Sequence, residues 1–118
     1  MRVAAVISDL MLYSRIEFAA TAAGAALSRL DTPAELPSAD AIDLVLVDWS
    51  ARRPDWADAL ASLRDRPDTR LVLFGQHTDL EAHAAARAAG LGPMWARSKL
   101  IAELAAVLSD TAPVPPPI

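Results

Sequence analysis

The chain contains no cysteine, which excludes disulfides and thiolate metal sites at the outset. Its only histidines, His77 and His83, flank an expected helix start, a poor geometry for a shared metal ion. Basic charge is also scarce: 11 Lys and Arg against 15 Asp and Glu leave a net charge of −4. That balance argues against sequence-independent nucleic-acid binding, which needs a basic face. No apolar run approaches the roughly 18–20 residues of a membrane span, and the first residues lack the zones of a signal peptide. A cytoplasmic location with neither membrane nor nucleic acid as partner is therefore expected. Gly-x-Gly-x-x-Gly and Walker loops are missing too. The stretch Asp9-Leu10-Met11-Leu12-Tyr13 is not the Ser/Thr/Gly-rich loop that a flavin phosphate would want. With no nucleophile–base–orienter set either, the chain does not read as an enzyme.

What is present is a regular alternation. At 118 residues, 53% of them hydrophobic and many of those alanine, the chain can build one domain with a real core. Residues 3–7 form a short apolar run ending at Ser8-Asp9, and Ser14-Arg15-Ile16-Glu17 has the spacing of a capping box that opens a helix. Gly24 is placed to end that helix. Residues 26–30 read as a second strand, and Thr32-Pro33-Ala34-Glu35 opens a second helix that Pro37 cuts short. Leu44-Val45-Leu46-Val47 is a strand buried on both faces. Pro54 opens a third helix with Trp56, Leu60 and Leu63 inward. Residues 70–74 form a fourth strand ending at Gly75, and Thr78-Asp79-Leu80-Glu81 opens a fourth helix that stops at Gly90. Residues 94–97 make a fifth strand, with Met94 or Trp95 partly exposed, and Ser98 caps a fifth helix that buries Leu100, Leu104, Val107 and Leu108.

Strands alternating with helices imply an α/β domain. The expected fold is flavodoxin-like, a five-stranded parallel sheet of order 2-1-3-4-5 with helices on both faces. It should span residues 1–110, leaving 111–118, a segment with four prolines, as an extended tail.

Asp48 closes the doubly buried run, and open α/β sheets place their chemistry at the carboxyl ends of such strands. Together with Val47-Asp48-Trp49 and Ala88-Ala89-Gly90, the element order over residues 2 to about 109 resembles the receiver domains of response regulators, in an atypical form. The resemblance implies that Asp48 is a phosphoryl acceptor and that Mg²⁺ is held by Asp9, Asp48 and the backbone carbonyl of Ser50. It also exposes departures. Ser8 stands where a second acid is usual, and Gly75 stands where a Ser or Thr hydroxyl meets the phosphoryl group. Arg97 replaces the phosphate-contacting lysine. Thr78, in the loop after the fourth strand, could supply the missing hydroxyl, and Lys99, the only lysine, could stand in for the amine. Ser98 replaces a proline that follows a cis bond; because a cis bond before a non-proline costs about 2.5–4 kcal/mol, a trans Arg97–Ser98 bond is expected.

Two functions follow from the resemblance. The first is a single-domain receiver of two-component signalling, phosphorylated on Asp48 by a histidine kinase with Mg²⁺. The alternative is a phosphorylation-independent pseudo-receiver that binds another signalling protein, or a second copy of itself. It would use the face of the fourth helix, fifth strand and fifth helix, with Leu80, Trp95, Leu104 and Leu108 as contacts. Trp49 is expected at the site rim, Trp56 in the core, and Arg52-Arg53 on a solvated loop.

Overall fold

Four apolar residues in a row can be buried together only if both faces of their strand are covered, and β3 (Leu44–Asp48) is buried at all five positions. The structure, a computed structural model, describes residues 1–36, 42–66 and 68–109, apart from the side chains of residues 64 and 65. The expected tail at 111–118 and the stop at Pro37 lie outside those residues.

Strands β1 (Arg2–Val6), β2 (Ala26–Leu30), β3, β4 (Arg70–Gly75) and β5 (Trp95–Ala96) form one sheet of order β2-β1-β3-β4-β5. Every pairing is parallel. The expected order is therefore the observed one. Period-two alternation sends Leu44 and Leu46 of β3 to one face and Val45 and Val47 to the other. The first face packs on α1 (Leu10–Ala23), α4 (Arg97–Ala102) and α5 (Leu104–Val107) through Ile16, Leu100 and Leu104. The second packs on α2 (Trp56–Ala61) and α3 (Leu80–Ala88) through Trp56, Leu60 and Ala86. Alanines at 82 and 86, both fully buried, let α3 approach closely.

Local boundaries differ from the sequence reading in several places. Helix α1 begins at Leu10 rather than at Ser14, because Asp9 caps it by accepting from the N–H groups of Met11 (3.0 Å) and Leu12 (3.2 Å). The second helix is only a 3₁₀ turn, Pro33–Glu35, with Thr32 at its N-cap. Asp79, not Thr78, caps α3 through the Ala82 N–H at 3.1 Å. The C-terminal helix starts at Arg97, one residue before Ser98, and is divided at Glu103 into α4 and α5. Strand β5 is correspondingly reduced to two residues. Met94 and Trp95 are both buried, one in each core, since helices cover both faces of the sheet. Gly24, at φ 72°, ends α1 as expected.

Candidate functional site

Sheet order places the ends of β1 and β3 side by side, with Val6 in register with Val47. Strand order reverses at β1, which lies between β2 and β3, and the carboxyl edge at such a switch point is where open α/β sheets place ligands. Asp9 follows β1 and Asp48 ends β3, and the topology therefore brings together two carboxylates far apart in sequence. Arg97, first residue of α4, reaches them both. Its Nη1 lies 3.4 Å from Asp9 Oδ2 and its Nη2 lies 3.5 Å from Asp48 Oδ2. A planar guanidinium can bridge two acids in this way, whereas a lysine ammonium is a single point charge.

Burial sets the electrostatics. The Asp48 side chain is 8% exposed. Loss of solvent is the largest influence and pushes its carboxyl above the ordinary value of 3.8. The Arg97 charge pulls it down, as does the Ser50 backbone N–H; the Asp9 charge raises it, and the Ala51 N–H lowers it again. Neither N–H closes a capping bond to the carboxylate. Asp48 Oδ1 and Arg97 Nε are both buried without a hydrogen-bond partner.

The backbone after Asp48 is held firmly. Residues Trp49–Ala51 form a 3₁₀ turn, and Trp49 is buried, not at the rim. Its indole N–H donates to the Ala82 carbonyl at 2.9 Å, tying the turn to α3 and satisfying a donor that burial would otherwise strand. Arg52 lies over the Trp49 ring, 5.6 Å from its centroid, and donates to the Trp49 carbonyl at 3.4 Å.

At Gly75 the absence of a side chain has a packing cause. A Cβ there would lie 2.8 Å from Met94 Sδ and would collide with Ser50 Oγ. Ser50 Oγ accepts from the Gln76 N–H at 3.0 Å, so the hydroxyl at this edge comes from the loop after β3 and not from β4. The sequence reading assigned Ser50 only a backbone carbonyl and missed this role. Its one sequence signal was a serine two residues after Asp48 paired with a glycine at the end of β4.

Other sequence candidates do not converge on Asp48. Thr78 is exposed on the wall of an open cleft of about 500 Å³ that also includes Gly75, Arg97 and Ser98. Lys99 is held elsewhere, 3.4 Å from Glu103 and over the Trp95 ring at 5.0 Å. It cannot substitute for Arg97, because the chain is already helical there and strand parity no longer applies. His83 Nε2 donates to the His77 carbonyl at 3.0 Å, a local tie rather than a metal pair. No cis peptide occurs among the described residues, so the Arg97–Ser98 bond is trans, as expected. Of the four residues expected on a contact face, Trp95, Leu104 and Leu108 are buried in the core, and only Leu80 is exposed.

The Mg²⁺ that the resemblance implies prefers a near-octahedral set of oxygens. Asp9 Oδ1 already caps α1, while Asp9 Oδ2 and Asp48 Oδ2 both face Arg97. Ser8 is exposed and brings no charge. Among the described residues no three His, Cys, Asp or Glu side chains cluster. As placed, these residues do not fit the ion.

No protein-family model matches the sequence, and no curated protein matches it. Solved structures do share its fold. The receiver domain of Francisella response regulator 1452 superposes with a TM-score of 0.63 at 15% identity, covering 91% of this chain and 95% of that one. A response-regulator receiver domain protein from Clostridium thermocellum gives 0.66 at 16% identity, over 91% and 90% of the two chains. A response-regulator receiver protein from Burkholderia phymatum gives 0.65 at 18% identity, over 96% and 98%. The chain has the receiver fold.

Proposed function

We propose that this chain is an atypical, non-catalytic receiver that works as a phosphorylation-independent module, binding another signalling protein through its surface. The observation that carries this reading is the Arg97 bridge to Asp9 and Asp48. Phosphoryl transfer to a carboxylate needs an accessible oxygen and a metal that neutralises charge on nucleophile and phosphate. Here Asp48 is buried, its Oδ2 is engaged by Arg97, and the metal-binding set is incomplete. Gly75 offers no hydroxyl, and the space for one is filled by Ser50. An acidic chain with no described helix long and apolar enough to cross a membrane suits a cytoplasmic protein partner better than nucleic acid or lipid.

The second reading keeps Asp48 as a phosphoryl acceptor served by a histidine kinase and Mg²⁺. Its support is the placement of Asp48 at the carboxyl end of β3, at the switch point, beside an arginine able to bind phosphate. Intact-mass spectrometry after incubation with acetyl phosphate and Mg²⁺, beside Asp48→Asn, separates the two. The expected result is an unmodified wild-type chain. A phosphate adduct on the wild type and none on the variant would establish the acceptor reading instead.

A further inference from the structure

We propose that the Arg97 guanidinium is a built-in counter-ion that takes the place of a divalent cation between Asp9 and Asp48, so that this site is metal-independent and removing Arg97 opens a divalent-cation site. The inference goes beyond the proposed function and rests on the arrangement of charge alone.

Three observations support it. First, the two acids approach one another for topological reasons, from the ends of adjacent parallel strands, and they would do so whatever lay between them. Two carboxylates near one another disfavour each other's ionised form, and a positive charge between them offsets that repulsion. Second, both present one oxygen, Oδ2, to the same guanidinium, at 3.4 and 3.5 Å. Asp9 is pinned in that orientation because its other oxygen is bonded to the N–H groups of Met11 and Leu12. Third, Arg97 is anchored at its backbone. It follows directly on β5, where Ala96 is in register with Gly75, and it opens α4, whose Leu100 is fully buried. The cation is therefore delivered by the fold.

A divalent ion would have to displace this guanidinium while gaining no third carboxylate among the described residues. With the guanidinium gone, the same two oxygens would face an uncompensated gap into which a small hard cation and its waters fit.

The test is thermal unfolding, with tryptophan emission as a second readout, in Mg²⁺ and in Na⁺ of matched ionic strength. Wild-type protein is expected to give the same Tm in both salts. Arg97→Met is expected to unfold earlier in Na⁺ and to regain Tm saturably as Mg²⁺ is added. The double variant Arg97→Met/Asp9→Asn should lose that Mg²⁺ response. Arg97→Gln, which retains a planar polar head, supplies the same arm if the methionine variant does not fold. Two results would overturn the inference: a saturable Mg²⁺ response of the wild type that Asp9→Asn abolishes, or an Arg97 variant that folds and ignores Mg²⁺. The proposed function fails on a different result, the phosphate adduct, so the two can be judged separately.

Discussion

Ser50 and Gly75 share one small volume at the carboxyl edge of the sheet. Ser50 Oγ fills it while accepting from the Gln76 N–H, and Met94 Sδ closes the other side. Gly75 is therefore required for space, not for backbone freedom, since its φ is not positive. Gly75→Ala is expected to lower stability by about 1–3 kcal/mol, the usual cost of an overfilled site. Adding Ser50→Gly in the same chain should recover part of that loss, because residues in contact couple non-additively. Urea unfolding of the two single variants and the double variant measures the coupling. A cycle in which the two effects simply add would show that the hydroxyl and the missing Cβ do not compete for one space.

Helix α1 depends on a residue that also belongs to the site. Its first turn holds no acidic side chain, and Asp9 supplies both the capping oxygen and the negative charge that suits a helix N-terminus. The Asp9–Arg97 pair is about 40% exposed on both sides and 3.4 Å long, so by itself it contributes little to stability. Substitutions should separate the two roles. Asp9→Ala removes cap and charge and is expected to cost about 1 kcal/mol. Asp9→Asn keeps a capping oxygen, removes the charge, and should cost distinctly less. Amide exchange at Met11 and Leu12 checks this directly, since those N–H groups lose protection only when the cap is lost.

For the whole molecule, the burial of Asp48 has a consequence for stability. Because its carboxyl lies above the ordinary 3.8, the folded chain binds a proton more tightly than the unfolded chain does. Its contribution is thus most favourable below the unfolded pKa and declines as pH rises through the folded value. At neutral pH the ionised carboxylate burdens the fold despite Arg97. Asp48→Asn, which removes the buried charge, is expected to raise stability at pH 7. That gain should shrink as the pH is lowered towards about 4. Denaturation midpoints of both proteins across this range test the sign, and a gain that grew on acidification would refute it. A stabilising loss of a buried charge is also what a site kept for specificity rather than stability would show.

The alternation of strands and helices was legible in periodicity and turn residues, except that the second helix is only a 3₁₀ turn. The consecutive apolar residues of β3 demanded covering on both faces, and the alternation of strands with helices permitted few sheet orders. Trp56 in the core and the trans Arg97–Ser98 bond followed from equally local physics. The start of α1 was misread, because the capping-box spacing at Ser14 satisfies a local rule while the cap is in fact Asp9. Burial of Leu12 against the sheet decided for Asp9, and a local rule does not contain that information. Trp49 was misplaced for a similar reason: its acceptor, the Ala82 carbonyl, lies on another element. The site was legible as a set of residues, Asp9, Asp48 and Arg97, but not as an ion bridge. Only the folded chain brings these three side chains together, since charge balance at the site depends on distances that sequence separation does not encode.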